Sequence, residues 1–440
     1  MKVKELYIKN YHQFEDFKLD LTYPEGHEKA GLPLDKVCFI GQSGTGKTSL
    51  LDIISKFVYN LHYFSRMPAT HLTDMRDYTT SEGISITFMG EKEITSSYIE
   101  NYISSTVKEK NFFDNWSLLY EFSQCYPIAI FFPTNFTNNV GELKQYIESS
   151  EERLFYYFDG LTYSEIWHKI NQKITEYREN QIQKSLAISE VTNKIGFKSE
   201  EILEAAKKYQ EWEQNNPNPL QDLADKVLDR ILNKFNLQVR TRLDFEKIED
   251  VKTIKIETLD GQEIPYDFQS TGTRQVFLSM LPLYTLKPCK TIIFFDEPER
   301  SLYPDIQKGI VDIYTSLTND CQLFFATHSP IIASSFDPWE IVELKFNKEG
   351  KVYRETYFEG ENHIDHYKWN PKYMRWDDIL QRVFDLEDDG SPDRKIKLDE
   401  LATLNVKFKK LKKQSQEHSV EALEIIKDIE KLSKELSKWD

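Results

Sequence analysis

The segment that most constrains the fold is a short glycine-rich run near the N-terminus. It follows the apolar run 37–40 and precedes a stretch whose apolar residues recur at helical spacing. A strand, a glycine-rich loop and a helix start can turn backbone N–H groups around phosphate oxygens, because glycine permits positive φ and close approach. The pattern predicts a nucleoside triphosphate site formed by Gly41, Gln42, Ser43, Gly44, Thr45, Gly46, Lys47, Thr48 and Ser49.

Two side chains of this run have the chemistry that a triphosphate requires. Lys47 is placed to reach the β- and γ-phosphates, and the hydroxyl of Thr48 is placed to hold Mg²⁺. The alternative is a chance loop of small residues, which the flanking strand and helix patterns disfavour. ATP and Mg²⁺ are therefore the expected ligands.

Length and charge limit the remaining possibilities. A chain of 440 residues is long for one core, so we expect two lobes or one domain with large insertions. The net charge of −16 argues against a surface covered in nucleic-acid-binding charge but leaves room for a local basic patch. No run approaches the roughly 18 apolar residues of a membrane span, and the first residues do not resemble a signal peptide. We expect a cytoplasmic protein with no membrane partner.

The middle of the chain changes from strand to helix patterns. Residues 3–8, 17–21, 83–88 and 127–133 are typical of strands, whereas 142–235 are mostly helical. The segment 215–219, rich in asparagine and proline, interrupts the helical pattern and predicts an inserted arm of two or more helices. We expect this arm to provide a surface for packing or for oligomer formation, and the alternative is a helix that binds DNA. Strand patterns return at 237–243 and 251–258.

The second half supplies acidic and imidazole groups at strand ends. The apolar run 291–295 ends in Asp296 and Glu297, and the apolar run 322–326 leads to His328. Side chains that end parallel strands meet at one edge of a sheet. Asp296 is expected to hold Mg²⁺, Glu297 to act as general base on water, and His328 to contact the γ-phosphate or that water.

The C-terminal region shows no second catalytic centre. The acidic run 387–393 could be a metal cluster, but its glycine, serine and proline favour a solvated loop. Apolar residues at 401–411 and 425–436 have helical spacing and predict a helical hairpin. The dense basic cluster at 407–413 is the best local candidate for contacting DNA, and a solvated helix face is the alternative.

Taken in chain order, the motifs resemble an ABC-type ATPase of the SMC, RecF and OLD branch. The resemblance rests on the phosphate loop, Ser270-Thr271-Gly272, Asp296-Glu297-Pro298, Ser301-Leu302 and Thr327-His328-Ser329, and covers about residues 1–60 and 260–335. It implies an α/β fold: a P-loop NTPase head of the ABC type, with a mixed sheet flanked by helices. We expect the head over 1–140 and 237–360, a helical insertion over 141–236 and a helical tail over 361–440.

The resemblance also implies a composite site between two subunits. In the family, Ser270 and Gly272 match the signature segment, which contacts the nucleotide bound to the other subunit. Ser301 and Leu302 match the D-loop, and His328 matches the switch histidine. Asn135 is the candidate for the glutamine-loop position, and His12 or Gln13 for a place near the base. We expect a homodimer or larger homo-oligomer gated by ATP.

Among such ATPases, compact heads without a nuclease module resemble the ATPase subunits of bacterial antiphage systems of the PARIS and Septu types. That similarity implies a sensor that controls a separate effector, a nuclease or toxin. A RecF-like DNA-repair ATPase is the first alternative, and strong stimulation by DNA would support it. A structural scaffold that binds ATP with little turnover is the second.

Overall fold

The computed structural model describes the chain over the following residues: 1–66, 83–89, 93–99, 102–107, 110–111, 127–134, 155–158, 160–193, 199–242, 254–265, 268–386, 390–414, 416 and 418–436. The chain divides into two compact units, Met1–Met374 and Arg375–Asp440. The boundaries expected at 140, 236 and 360 remain predictions.

The first unit contains all the strands of the described residues. They are β1 (Lys2–Tyr11), β2 (Phe14–Asp20), β3 (Lys36–Gly41), β4 (Ile84–Met89), β5 (Glu93–Ile99), β6 (Tyr102–Val107), β7 (Lys110–Asn111), β8 (Ala129–Phe132), β9 (Phe155–Tyr157), β10 (Leu237–Val239), β11 (Ile256–Thr258), β12 (Glu263–Ile264), β13 (Ile292–Asp296), β14 (Gln322–Ala326), β15 (Ile341–Phe346) and β16 (Val352–Glu355).

The helices of the first unit are α1 (Lys47–Arg66), α2 (Gly160–Thr192), α3 (Ser199–Asn215), α4 (Pro219–Leu223), α5 (Asp229–Leu232), α6 (Thr271–Leu286), α7 (Pro304–Ser316) and α8 (Pro330–Ala333). The second unit contains α9 (Trp376–Arg382), α10 (Pro392–Lys413) and α11 (Val420–Leu436).

Thirteen strands of the described residues form one mixed sheet in the order β7-β6-β5-β4-β1-β2-β16-β15-β3-β14-β13-β8-β9. The strands from β15 to β9 are parallel, and those from β7 to β2 are antiparallel. The predicted fold class, a mixed sheet flanked by helices with a helical C-terminal region, is confirmed. Because β3 lies inside the parallel half, the loop that leaves it lies beside the ends of β14 and β13.

The parallel half is held by rows of phenylalanine side chains. All five residues of β13 and of β14 are buried, as expected for strands covered on both faces. Phe295 stacks on Phe325 with ring centroids 4.8 Å apart and on Phe132 at 5.1 Å. Such ring pairs add to the free energy gained from apolar burial. This packing fixes the strand ends that carry the polar site residues.

In the antiparallel half, β2 and β4 each have one buried and one more exposed face. In β2 the buried residues Phe14, Phe17 and Leu19 are separated by exposed ones. The turn between β1 and β2 places His12 at φ 53°, so the hairpin reverses within two residues. This tight turn directs Gln13 and Phe14 towards the glycine-rich loop.

The predicted helical arm is present as α2 and α3. The stripe Ile166, Ile170 and Ile174 is buried, while α3 buries no residue. Tyr177 of α2 stacks on Trp212 of α3 with ring centroids 5.2 Å apart. The Asn218 side chain accepts hydrogen bonds from the first N–H groups of α4, which explains the helix restart after the proline-rich interruption.

The arm returns to the sheet region through α4, a π-turn over Ala224–Leu228 and α5. The following strands, β10 and β11, are shorter than predicted, because only three residues of each form ladder pairs. Tyr284 of α6 donates a hydrogen bond of 2.7 Å to Asp222 of α4. The insertion is thereby bonded to the helix that begins at Thr271.

The tail unit is helical, as predicted from residue spacing. Helices α10 and α11 pack side by side, and Lys397 donates to Glu435 across them at 2.9 Å. The acidic residues 387–389 lie outside the described residues. Across both units, no helix in the described ranges has the length and apolarity to cross a membrane.

Candidate active site

The glycine-rich loop connects β3 to α1, as the sequence predicts. Gly41, Gly44 and Gly46 have φ values of 142°, 86° and 86°. A Cβ on Gly46 would lie 2.6 Å from the Phe14 ring and 2.4 Å from Gln13 Nε2, so only glycine fits there. Gln13 also donates to the Gly44 carbonyl at 3.2 Å. The β1–β2 turn therefore supports the loop from outside.

Lys47 is buried at the first position of α1. Its Nζ donates to the carbonyls of Gly41 and Gln42 at 2.9 and 3.1 Å. Burial lowers the pKa of Lys47 to about 8, although the nearby carboxylates of Glu297 and Asp296 act in the opposite direction. Loop carbonyls are weak partners for a buried ammonium, so an entering triphosphate would be a better one.

Asp296 is the meeting point of three segments. Its carboxylate accepts a hydrogen bond from the Thr48 hydroxyl at 3.0 Å and from the Thr134 hydroxyl at 2.6 Å. Thr48 lies at the start of α1, Asp296 ends β13, and Thr134 follows β8. Oxygen donors from three segments thus converge on one small volume. Such a donor set fits a hard divalent cation, the kind that the sequence predicts.

Glu297 and His328 face each other at adjacent strand ends. The distance from His328 Nε2 to Glu297 Oε1 is 4.0 Å, and both side chains are about two-fifths exposed, at 40% and 38%. The backbone of Glu297 has φ 50°, a left-handed conformation that is uncommon outside glycine. Burial and the charge of Lys47 lower the pKa of His328, which favours its neutral imidazole. The pair can share a water molecule.

Ser270 and Gly272 lie at the start of α6. The Ser270 hydroxyl caps this helix by accepting from the Thr273 N–H at 3.1 Å, and Ser270 itself is exposed. A Cβ on Gly272 would lie 2.6 Å from the Ser301 carbonyl oxygen. The hydrogen bonds of Ser270 in the described part of the chain stay within its own helix. Its exposed cap is open to an external ligand.

A family model described as an AAA ATPase domain matches residues 1–333. The chain belongs to this ATPase family. No curated protein matches the sequence.

Solved structures similar to this ATPase include three SMC heads. One is an SMC head bound to the C-winged helix domain of ScpA, at 13% identity and TM-score 0.42, covering 81% of this chain and 97% of that one. Another is the Pyrococcus furiosus SMC head with an extended coiled coil bound to the C-terminal domain of ScpA, at 13% and 0.38, covering 80% and 96%. The third is the Thermotoga maritima SMC head, at 11% and 0.38, covering 81% and 99%.

The structure of the ATPase brings together Lys47 and Thr48 at the start of α1 with Asp296, Glu297 and His328 at strand ends, as the sequence suggests. Asn135, expected at the glutamine-loop position, lies outside the described residues. Sequence reasoning missed Thr134 and Glu299. Thr134 follows a buried strand, and Glu299 follows the acid pair by two residues. Position after an apolar strand was the signal available for both.

Proposed function

We propose that this ATPase binds ATP with Mg²⁺ and hydrolyses it at sites shared between two copies of the chain. The observation that carries the proposal is the convergence of Lys47, Thr48 and Asp296 at one sheet edge, beside the Glu297–His328 pair. Loop amides, a buried ammonium and paired oxygen donors are what a triphosphate with a divalent cation needs.

The residues that would hold Mg²⁺ are Thr48 and Asp296. Both supply oxygen donors, and they already contact each other at 3.0 Å. When bound, Mg²⁺ neutralises negative charge on the phosphate oxygens during transfer. Thr134 fixes the Asp296 carboxylate from the other side at 2.6 Å. The carboxylate is therefore oriented before the nucleotide arrives.

Each side chain has a role in hydrolysis that its position allows. Lys47 exchanges its loop carbonyls for phosphate oxygens and offsets the charge on the γ-phosphoryl group. Glu297 accepts the proton of the attacking water as general base. His328, in its neutral form, donates one hydrogen bond to the γ-phosphate or the water. The products are ADP and inorganic phosphate.

The exposed helix start at Ser270 supports the proposal of a composite site. A helix N-terminus carries partial positive charge and free N–H groups, so it suits a phosphate oxygen. Ser270 and Gly272 of one copy would close over the γ-phosphate bound by the phosphate loop of another. Loss of that phosphate would remove the contacts that join the copies. ATP would then hold a dimer or larger assembly together.

In the cell, the proposed role is that of a cytoplasmic sensor in a bacterial antiphage system, controlling a separate nuclease or toxin. The support is the resemblance of a compact head, without long coiled coils or a nuclease module in its sequence pattern, to the ATPase subunits of PARIS-type and Septu-type systems. The helical arm and the tail unit lie outside the nucleotide-binding motifs, so they are available for contact with an effector.

Direct sensing of DNA is the second candidate, and one surface favours it. The last turns of α10 carry the exposed side chains of Lys407, Lys409, Lys410, Lys412 and Lys413. A cluster of this kind can neutralise several phosphates of a nucleic acid. A RecF-like repair ATPase would use DNA as its input in this way, whereas an ATP-stabilised scaffold would show little turnover under any condition.

The test is steady-state ATP turnover by the purified chain, alone and with linear duplex, circular duplex or single-stranded DNA. Lys47→Ala serves as the blank. The sensor role predicts turnover that DNA leaves unchanged and that a partner protein alters. Strong stimulation by one DNA form would instead support the DNA-driven role, and no turnover above the blank would contradict hydrolysis.

A further inference from the structure

Glu299 is an acid that the hydrolysis steps above leave unused. It lies in the turn after β13, two residues beyond Glu297. Its Oε1 atom accepts hydrogen bonds from the Thr327 hydroxyl at 2.6 Å and from the His328 backbone N–H at 3.0 Å. One carboxylate oxygen therefore holds two consecutive residues of the segment that carries the switch imidazole.

The fold explains how this side chain reaches the neighbouring strand. Strands β13 and β14 are parallel, with Asp296 opposite Ala326, and the Glu297 N–H donates to the Ala326 carbonyl at 2.8 Å. The turn then reverses, since Leu302 N–H donates to the Glu299 carbonyl at 2.9 Å. The side chain of Glu299 is thereby directed at the end of β14.

A second link holds the same segment beyond His328. The Ser329 hydroxyl donates to Gln307 Oε1 at 2.6 Å, and Gln307 Nε2 donates to the Leu302 carbonyl at 2.8 Å. Thr327 is fully buried. The backbone on both sides of His328 is therefore fixed to the segment after β13, while the imidazole itself is free to meet a ligand.

The second oxygen of Glu299 makes a purely stabilising role a poor explanation. Its Oε2 atom is buried and, within the described part of the chain, has no hydrogen-bond partner. Burial raises the pKa of this carboxyl group. A buried oxygen without a partner costs free energy of folding, so a residue selected only for stability would be satisfied or apolar.

We propose that Glu299 is a positioning residue that fixes the His328 backbone, so that the imidazole faces Glu297 and the γ-phosphate site. This inference rests on the proposed function. Glu299 acts through His328, because its hydrogen bonds go to the Thr327 hydroxyl and the His328 backbone. Length and acceptor geometry, rather than charge, are the properties of Glu299 that matter, because one oxygen makes both contacts.

The test compares three substitutions at this position. Glu299→Gln keeps the length and one acceptor oxygen, Glu299→Asp keeps the charge but withdraws the oxygen by one methylene, and Glu299→Ala removes the contact. The matched control is Glu340→Ala. Glu340 is also a buried acid that accepts a backbone N–H, from Asp337 at 2.9 Å, and burial raises its pKa too. Measured quantities are kcat, KM for ATP and the melting temperature.

Glu299→Ala and Glu299→Asp are expected to lower kcat roughly 10- to 100-fold with KM within about threefold of wild type. Glu299→Gln is expected to keep kcat within about threefold, because its amide oxygen accepts the same two hydrogen bonds. Glu340→Ala is expected to lower the melting temperature without a selective loss of kcat.

Three results would overturn the inference. They are a wild-type kcat in Glu299→Asp, a Glu299→Gln protein as slow as Glu299→Ala, or equal loss of kcat in Glu340→Ala. Should Glu299→Ala fail to fold, the Asp and Gln variants still decide the question. A failure of the proposed function is distinguishable, because wild-type turnover would then not exceed that of Lys47→Ala.

Discussion

The two halves of the proposed ATP site differ in how their polar groups are used. In the phosphate-binding half, Thr48 and Asp296 are bonded across distant segments of the chain, and Lys47 is buried and bonded to carbonyls of its own loop. In the signature half, Ser270 is exposed and its hydrogen bonds stay within one helix in the described ranges. The first half is organised before ligand arrives, and the second is open at the surface.

This difference has a mechanistic consequence. A buried half can bind and orient the triphosphate by itself, since its groups are already placed. An exposed helix start adds to catalysis only when something brings phosphate to it. Substitutions in the phosphate-binding half should therefore impair ATP binding, whereas substitutions in the signature half should impair turnover after ATP has bound.

The largest effect on ATP binding, and through it on every later step, is expected from Lys47→Ala. The variant loses the ammonium that meets the β- and γ-phosphates, so ATP affinity should fall roughly 100-fold or more. Isothermal titration calorimetry with ATP and Mg²⁺ measures it. Lys56→Ala, on the exposed side of the same helix, is the matched control and should bind normally. Normal affinity in Lys47→Ala would refute the phosphate-loop assignment.

Glu297→Gln should separate binding from turnover. The amide cannot take the proton of the attacking water, so kcat should fall on the order of 10²- to 10⁴-fold while ATP still binds. Size-exclusion chromatography with light scattering should show a trapped assembly in ATP. As control, Glu349→Gln alters an exposed hairpin acid and should leave kcat unchanged. Unaltered turnover in Glu297→Gln would remove Glu297 from the base role.

Ser270→Arg tests the exposed half. The large cation should obstruct approach to a second copy and remove a helix cap worth about 1 kcal/mol. We expect turnover to fall roughly 30-fold while ATP affinity stays within about twofold, since the phosphate-binding half is intact. Ser391→Arg removes the equivalent exposed cap of α10 and controls for lost capping. Weakened ATP binding in Ser270→Arg would contradict the assignment, because it would show that Ser270 contributes to the phosphate-binding half.

Thr134→Val tests how Asp296 is oriented in the phosphate-binding half. Removing the hydroxyl that fixes Asp296 should weaken the apparent Mg²⁺ affinity roughly 10-fold, as loss of an orienting partner does at other metal sites. The measurement is the Mg²⁺ concentration that gives half-maximal ATP binding, which needs no turnover. Thr134→Ser keeps the hydroxyl and should match wild type. An unchanged midpoint in Thr134→Val would show that Asp296 needs no such partner.

The smallest expected effect is a proton taken up with ATP. In the free protein, burial lowers the pKa of Lys47 to about 8, so above that pH the amine is increasingly neutral. Bound triphosphate favours the ammonium and raises this pKa, so binding near pH 8.5 should take up protons, whereas binding near pH 7 should not. Calorimetry in buffers of different ionisation enthalpy measures the uptake. Equal proton uptake at both pH values would contradict the assignment of this proton to Lys47.

Much of the phosphate-binding half of the site could be predicted from the sequence. The runs before Gly41, Asp296 and Thr327 are continuously apolar, which marks buried parallel strands, and the chemistry lies at their ends. Local patterns of this kind depend on neighbouring residues only. The helical spacing of the arm and the tail was readable for the same reason.

The contacts between distant segments could not be predicted. Thr134 reaches Asp296, Glu299 reaches Thr327, and Gln13 supports Gly44 only because strand order places these segments side by side. The pattern of residues within one segment does not indicate which distant segment it will contact.

The measurement that tests the central claim most directly is a mixing experiment with two impaired variants. Lys47→Ala lacks a working phosphate loop, and Ser270→Arg lacks a working signature. If sites are shared between copies, each mixed dimer has one intact site, so an equimolar mixture should recover about a quarter of wild-type turnover. A mixture no more active than the sum of the separate variants would contradict the composite site.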